Sequence, residues 1–483
     1  MTGGPNVVVA VMDTTRAEET VPATGLTPTL SRLASEGTEF TNAFSTAPWT
    51  LPSHASLFTG TYPSRHGAHG GHTYLDAEFE TLAETFSNAG YETVGFSNNT
   101  WITAEFGFDR GFETLRKGWQ LTENGADFGD VIRQKTLTGK ARAVRRELFS
   151  GNPVRNALNA AYAQYTHRYG DDGAKRTVKR FGNWLDSRTD DRSFFAFVNC
   201  IEPHIDYRPP REYVEERLPE GTSYEEALAV RQDPRAFDVE EYDLTEREFR
   251  ILRALYRGEI AYLDDRIGEI RESLEAAGEW EDTVFVLTSD HGENIGEHGL
   301  FGHQYNLYET TIHVPLVVAG GAFDGGGRRE ELVQLVDLPP TLADETGIDA
   351  PYEQYQGRSV HPERDVGPRT EVVAEYVAPQ PDRATLEARF ESVPEKGMFD
   401  RSLRAIRTHE RKLVRGSDGL LELYDLHEDP AERLNLADDE RGLARDLGDA
   451  LDAWADSFEH AASDGSVEMG EATERRLREL GYL

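Results

Sequence analysis

Residues 6–13 read Asn-Val-Val-Val-Ala-Val-Met-Asp. The residues before the aspartate form a nearly continuous apolar, β-branched run, which is typical of a strand buried on both faces of a parallel sheet. Asp13 follows at the carboxyl end of this run, where ligands collect in open α/β sheets. The stretch therefore predicts both a fold class and a first functional position.

The same pattern recurs along the chain. Further strand-like runs lie at 93–96, 194–198, 284–288 and 315–318. Helical patterns lie between them, at 28–36, 82–89, 174–186 and 244–277. Strands that alternate with helices predict an α/β fold whose central, mostly parallel sheet is flanked by helices.

The sequence changes character near residue 371. Short strand-like pieces precede one helix and a small terminal helix, at 402–407, 411–415, 421–424, 443–458 and 471–480. We therefore predict a catalytic domain over 1–370 and a small α+β C-terminal subdomain over 371–483.

Within the catalytic domain, about 116–180 reads as a basic helical insertion that holds five of the seven lysines. It is interpreted either as a cap whose charges balance acidic neighbours or as a patch that recruits an anionic substrate.

The composition is strongly acidic. The chain has 483 residues, with 51 basic and 87 acidic side chains and a formal net charge of −36. This balance argues against nucleic acid or an anionic membrane as a partner, and together with scarce lysine it predicts a salt-adapted protein. Cys200 is the one cysteine, and no stretch has the 18 or so apolar residues of a membrane span. With no signal-peptide pattern after Met1, the expected location is the cytoplasm.

A candidate nucleophile lies at Thr50. Residues 46–60 read Thr-Ala-Pro-Trp-Thr-Leu-Pro-Ser-His-Ala-Ser-Leu-Phe-Thr-Gly, and a short helix is expected to open beside Thr50. Free backbone N–H groups and the positive end of the helix dipole favour an anion at such a position.

The expected metal ligands are Asp13, Thr50, Asp290 and His291. Asp290 and His291 follow the run at 284–288. Taken alone, Asp13 is as consistent with a helix cap as with a metal ligand. The Asp-His pair, taken alone, is also consistent with a turn. Three oxygens and one imidazole nitrogen suit one Mn²⁺ or Zn²⁺ ion better than a Ca²⁺ or Mg²⁺ ion. Ca²⁺ and Mg²⁺ nevertheless remain candidates. Such an ion would favour ionisation of the Thr50 hydroxyl and make it a feasible nucleophile.

Three further histidines are candidates for catalysis. His204 follows a strand-like run, and His303 follows a loop segment. Each is a candidate to donate a hydrogen bond to a bound oxyanion or to protonate the leaving group, with a purely structural role as the alternative. His54 lies one turn into the helix of Thr50 and is placed to form a hydrogen bond across the site. The remaining histidines of interest are interpreted as loop residues: His66, His69, His72 and His298.

Together these motifs resemble the sulfatase family of the alkaline phosphatase superfamily. The resemblance extends over nearly the whole chain, through 46–60, 62–67, 202–204, 262–268, 288–300, 333–342, 423–426 and 429–436. It implies an alkaline-phosphatase-like sandwich in which Asp13, Asp290 and His291 bind the metal and Thr50 occupies the nucleophile position. It also implies that His204 contacts the substrate, with Asn99 and His303 at substrate-binding positions.

Several residues depart from the family pattern. Sulfatases oxidise a Cys or Ser to formylglycine, and Thr50 cannot form that aldehyde, so no formylglycine is expected. The signature arginine is His54, the expected lysine is His303, and Asn98-Asn99 lie where a Gly-Lys-Trp-His segment is expected. Without the elimination step of the formylglycine hydrate, direct attack on the central atom is required. Phosphorus tolerates that attack well, so a phosphoester is favoured over a sulfate ester.

The leading hypothesis is a metal-dependent hydrolase that cleaves a sulfate or phosphate ester of a small molecule, glycan or lipid. One alternative is a transferase that passes a phosphoryl-linked group to a sugar or lipid hydroxyl. Another is a non-catalytic protein that binds an anionic glycan. The sequence makes no prediction of oligomeric state.

Overall fold

The computed structural model describes residues 3–118, 173–365 and 367–462. The strands are β1 Asn6–Met12, β2 Thr38–Phe44, β3 Glu92–Ser97, β4 Thr114–Lys117, β5 Phe194–Cys200, β6 Thr283–Thr288, β7 Asn294–Ile295, β8 Phe301–Gly302, β9 His313–Val314, β10 Leu316–Ala319, β11 Gly327–Gln334, β12 Val372–Tyr376, β13 Leu403–Arg407, β14 Arg411–Gly416 and β15 Leu421–Asp425. The helices are α1 Pro28–Glu36, α2 Thr50–Thr59, α3 Pro63–His66, α4 Leu82–Asn88, α5 Ala174–Ser187, α6 Arg211–Val214, α7 Tyr224–Leu228, α8 Pro234–Asp238, α9 Glu246–Ala277, α10 Glu309–Ile312, α11 Leu338–Thr346, α12 Arg383–Arg389 and α13 Arg441–Ala455.

The central sheet is mixed but mostly parallel, as predicted. Its strand order is β11-β2-β10-β6-β1-β5-β3-β4, with β9 paired to β2. Strand β1 pairs in parallel with both β5 and β6, and β3 pairs in parallel with β5 and β4. Strand β10 is antiparallel to its neighbours β6 and β2, so β2 runs in the direction of β6.

This topology gathers the strand ends at one edge. Because β1, β2, β3, β5 and β6 share one direction, their carboxyl ends meet at the same side of the sheet. The segments that follow carry Asp13, Thr50, Asn99, His204 and Asp290. Since β10 is antiparallel to β6, the chain between them, residues 289–315, leaves and re-enters the sheet at that edge.

Helices cover both faces of the sheet, because alternate strand residues point to opposite sides. Val8 and Ala10 pack with apolar residues of α1, α5 and α9 on one face. Val7 and Val9 pack with residues of α2, α4 and α11 on the other. Polar and charged side chains are buried as well, among them Asp13, Thr50 and Asp290 beyond the strand ends.

The C-terminal sheet is antiparallel, in the order β12-β13-β14-β15, and α13 packs against it. The expected strands near 402–424 and the expected helix near 443 are therefore present with small boundary shifts. The sheet begins at Val372, close to the expected division at 371. That division stays a prediction, and the expected helix at 471–480 lies outside the described residues.

The expected insertion at 116–180 lies mostly outside the described residues. Its described ends belong to the central fold: Lys117 ends β4, and α5 begins at Ala174. Both flanking glycines approach one side chain, since a β-carbon built on Gly118 or Gly173 would lie 2.6 Å from the Asn98 amide. Gly118 and Gly173 therefore approach each other at Asn98. Among the described residues, no helix combines the length and apolar character needed to cross a bilayer.

Candidate active site

Thr50 begins α2 at the carboxyl edge of the sheet, and its side chain is fully buried. The preceding residue, Trp49, has extended backbone angles and caps the helix without a side-chain hydrogen bond. The first N–H groups of the helix are therefore not satisfied by a capping side chain, which favours negative charge beside Thr50.

Asp13, Asp290 and His291 form a compact buried cluster. One potential ligand atom from each lies within 4.8 Å of the others. Within the described part of the chain, Asp13 Oδ1 and Asp290 Oδ2 have no hydrogen-bond partner. Burial, followed by the charge of Asp290, raises the pKa of Asp13 well above its usual range. Two orphaned carboxylate oxygens and an imidazole nitrogen at this spacing fit a divalent cation.

The orientation of His291 supports its role as a ligand. Its Nδ1 atom donates a hydrogen bond to the carbonyl oxygen of Gly292 at 2.9 Å. Burial lowers the pKa of His291 to about 4, so the ring is neutral near pH 7 and Nε2 carries a lone pair. A backbone acceptor of this kind is the usual way in which proteins fix the tautomer of a metal-binding histidine.

Thr50 lies against this cluster. Its Oγ1 atom is 3.3 Å from His291 Nε2. The amide of Asn99 donates to Asp13 Oδ2 at 2.5 Å and to Thr50 Oγ1 at 3.4 Å. The backbone N–H of Thr14, which has a left-handed conformation, donates to Asp290 Oδ1 at 3.3 Å. The residues chosen from the sequence for nucleophile, metal and substrate binding are therefore brought together.

Two of the three candidate histidines lie on one side of the cluster. The ring of His303 is 4.5 Å from that of His291 and 5.4 Å from that of His204. His303 Nδ1 donates to Glu293 Oε1 at 3.0 Å, and His204 Nδ1 donates to the carbonyl oxygen of Ile205 at 2.7 Å. Both rings therefore lie beside the cluster with their Nδ1 atoms engaged by acceptors.

The third candidate histidine, His54, has different surroundings. Its Nδ1 atom lies 3.0 Å from the backbone oxygen of Thr50 and 3.4 Å from Asp290 Oδ2. Its ring packs edge-on against the core residue Phe197. His54 thus lies on the core side of α2, beside the backbone of Thr50 and the carboxylate of Asp290.

Glu293 and Arg16 were not singled out from the sequence. Glu293 is fully buried and holds His303, while Arg16 Nε donates to the backbone oxygen of Glu293. Arg16 is itself held by Glu297, whose Oε2 atom lies 2.9 Å from Nη2. The one signal for Glu293 was its place two residues after His291, because a buried acid in such a motif is seldom without a function.

Comparison with known proteins is consistent with this geometry. The Sulfatase family matches residues 5–348, and the family named N-sulphoglucosamine sulphohydrolase, C-terminal, matches residues 296–453. The chain belongs to the sulfatase family.

Two relatives of this sulfatase-family chain span nearly all of it. Choline-sulfatase of Rhizobium meliloti (strain 1021) is 29% identical over 465 residues, which cover 91% of this chain and 84% of that protein. Arylsulfatase K of Homo sapiens is 24% identical over 458 residues, which cover 90% of this chain and 79% of that protein.

A solved structure agrees in fold. The phosphonate monoester hydrolase of Agrobacterium radiobacter aligns with a TM-score of 0.68 at 24% identity, over 93% of this chain and 95% of that one. The predicted alkaline-phosphatase-like sandwich is therefore confirmed, and the family is one of metal-dependent ester hydrolases. The prediction of an ester hydrolase of this superfamily is confirmed as well.

Proposed function

We propose that this sulfatase-family chain is a metal-dependent hydrolase that uses Thr50 as its nucleophile and prefers a phosphoester to a sulfate ester. The observation that supports the proposal is the 3.3 Å contact between Thr50 Oγ1 and His291 Nε2, within a cluster of buried, unpaired carboxylate oxygens.

The proposed metal ligands are Asp13, Thr50, Asp290 and His291. Their mixed oxygen and nitrogen donors favour one Mn²⁺ or Zn²⁺ ion. A divalent cation bound there supplies positive charge that favours the ionised form of the Thr50 hydroxyl and offsets the charge of the ester.

Side chains of the protein then orient the nucleophile and protonate the leaving group. The Asn99 amide donates to Thr50 Oγ1 and so directs a lone pair of that oxygen toward the substrate. The rings of His204 and His303 lie on the same side of the cluster. Glu293 accepts the Nδ1 proton of His303, and we assign the His303 ring to carry a proton to the leaving oxygen once the anionic ester raises its pKa.

The preference for phosphorus follows from the side chain of Thr50. Formylglycine hydrate releases sulfate by elimination, without a second attack on sulfur. An ester of threonine lacks that exit, so water must attack the central atom directly. In-line attack of this kind is well tolerated at phosphorus, which favours a phosphate monoester or diester as the substrate.

The test is a comparison of rates in multimolar KCl with Mn²⁺ or Zn²⁺, on wild type and Thr50→Ala. The substrates are an aryl sulfate, an aryl phosphate monoester and a bis-aryl phosphate diester. Faster, Thr50-dependent turnover of either phosphoester supports the proposal. Dominant Thr50-dependent release of sulfate would refute the phosphoester preference, and rates that do not depend on Thr50 would refute the nucleophile.

A further inference from the structure

Thr14, the residue after Asp13, has a left-handed backbone conformation with a φ of +53°. A β-branched residue rarely adopts this conformation, and such strain persists only where neighbouring groups hold it. In this turn the backbone N–H of Thr14 donates to Asp290 Oδ1 at 3.3 Å. The next N–H, of Thr15, donates to Ser289 Oγ at 2.9 Å. The strained turn therefore connects the loop of one proposed metal ligand to the carboxylate of another.

The hydroxyl of Tyr256, on the long helix α9, makes two hydrogen bonds to this turn. It donates to the backbone oxygen of Thr14 at 2.7 Å and accepts the backbone N–H of Arg16 at 3.0 Å. Burial raises the pKa of Tyr256 well above its usual range, so the hydroxyl keeps the proton that it donates. One side chain therefore fixes the turn on both sides of Thr15.

The ring of Tyr256 is itself fixed by its neighbours. It is 1% exposed and packs edge-on against Tyr207, with the two ring centroids 5.5 Å apart. The Arg16 guanidinium lies 5.8 Å from the centroid of the Tyr256 ring. The next residue of α9, Arg257, forms an ion pair with Glu19, whose Oε2 atom is 2.8 Å from Nε. Helix α9 therefore holds this segment through two successive side chains, and the hydroxyl has little freedom to move.

We infer that Tyr256 is a positioning residue for the proposed metal centre, because its hydroxyl holds Thr14 in the conformation that directs the Thr14 N–H to Asp290. The inference rests on the proposed ligands Asp13 and Asp290 and adds to them a group that contacts neither ligand. Groups that hydrogen-bond to metal ligands typically contribute 10–100-fold to metal affinity. Tyr256 acts through the backbone of such a group, so its contribution is expected at the lower end of that range.

The first test is Tyr256→Phe, which removes the hydroxyl and keeps the ring. The full-length, metal-free protein is titrated with Zn²⁺ and with Mn²⁺ by calorimetry, and the affinity is expected to fall about tenfold. Tyr376→Phe is the matched control, because the buried hydroxyl of Tyr376 also donates to a backbone oxygen and accepts a backbone N–H, both of Gln380, at 3.3 and 2.7 Å. Both variants lose the same kinds of hydrogen bond, but only Tyr256→Phe is expected to bind metal more weakly.

A second variant, Thr14→Gly, separates positioning from general stability. Glycine adopts a positive φ without steric cost, so the turn then depends less on the hydroxyl that holds it. In the Thr14→Gly background, Tyr256→Phe is expected to lower metal affinity no more than about twofold, although the melting temperature still falls. An equal, tenfold loss of affinity in both backgrounds would overturn the inference, because Tyr256 would then not act through the conformation of Thr14.

These measurements need no turnover, so they are independent of the tests with esters. Weaker metal binding by Tyr256→Phe than by Tyr376→Phe supports the inference even if Thr50 proves not to be the nucleophile. Equal affinities in wild type and both phenylalanine variants would overturn it and leave Tyr256 a stabilising core residue, with the proposed ligands unaffected. A wild-type protein that binds neither ion would refute the proposed ligands and this inference with them.

Discussion

The Nδ1 atom of His54 lies 3.4 Å from Asp290 Oδ2, and both side chains are completely buried. Burial lowers the pKa of His54, so the ring is neutral near pH 7 and Nδ1 donates. The same nitrogen is 3.0 Å from the backbone oxygen of Thr50. One imidazole thus connects the first turn of the nucleophile helix to a proposed metal ligand, at the position where the family pattern has an arginine.

Replacing His54 with Phe should weaken metal binding about tenfold, because partners of metal ligands typically contribute 10–100-fold to affinity. The measurement is a titration of the metal-free protein with Mn²⁺ or Zn²⁺. His298→Phe is the control, since that exposed residue stacks its ring on Tyr308. Equal affinities in the two variants would show that His54 does not position Asp290.

Thr50→Ala should abolish ester hydrolysis and leave the melting temperature within a few degrees of wild type, because only one hydroxyl and one methyl group are lost from a helix start. Thr50→Ser should retain activity, since it keeps the hydroxyl in the same position. Initial rates and thermal unfolding are measured on the same preparations. An alanine variant with wild-type rates would eliminate Thr50 as the nucleophile.

Asp290→Asn should reduce bound metal strongly, because an amide oxygen is a weaker ligand than a carboxylate for the favoured ions. Elemental analysis after extensive dialysis gives the metal content. Asp265→Asn is a suitable control, because this carboxylate accepts from Tyr213 in an exposed part of the structure. Full metal content in the Asp290 variant would remove this residue from the ligand set.

Glu293→Gln should lower kcat by removing the charge that supports His303, while metal content stays unchanged. A proton donor matters most for poor leaving groups. The decrease should therefore be larger for phenyl phosphate than for 4-nitrophenyl phosphate. An equal decrease for both esters would indicate that Glu293 is only structural.

The stability of the protein should fall in acid partly because of His66. Its Nε2 atom contacts Ser56 Oγ at 3.1 Å, and its Nδ1 atom accepts the N–H of Ala68 at 3.1 Å. Burial lowers the pKa of His66 from 6.5 to about 3. The unfolded state therefore binds a proton at this histidine at a higher pH than the folded state does. The free energy of unfolding falls as the pH falls from about 6.5 toward about 3, by up to about 1.4 kcal/mol per pH unit.

His66→Asn should make that pH dependence shallower, because asparagine keeps an acceptor for Ala68 but cannot titrate. Denaturant unfolding between pH 4 and pH 7 measures the slope. His427→Asn serves as the control, because that imidazole is exposed. Parallel slopes for wild type and His66→Asn would contradict the assignment.

The central strands could be predicted because each is buried on both faces. Asn6–Met12, Phe194–Cys200 and Thr283–Thr288 lie in the middle of the sheet and read as apolar runs. Strands β2 and β11 were missed because they include polar and charged residues, as in Thr-Glu-Phe-Thr-Asn-Ala-Phe and Gly-Arg-Arg-Glu-Glu-Leu-Val-Gln. Partial exposure near the sheet edge removes the apolar signal on which such predictions depend.

The part of the candidate site that directly follows recognisable strands could be predicted from the sequence. Asp13 and Asp290 each follow a recognisable strand, so their proximity follows from a parallel sheet. The contact between Glu293 and His303 depends instead on the path of an irregular loop, which has no periodic signal. The two hydrogen bonds between the Tyr256 hydroxyl and the turn after Asp13 are likewise a property of packing, invisible in the order of residues.

The antiparallel direction of β10 has a consequence for how this enzyme could diversify. Residues 289–312 form a single excursion from the sheet, with Asp290 and His291 at its base and Glu293, His303 and Gln304 farther along. The base is anchored by strand pairing, whereas the middle lies outside the central sheet. Grafting residues 293–306 from a relative would therefore replace Glu293 and His303 together, with Asp290 and His291 left untouched.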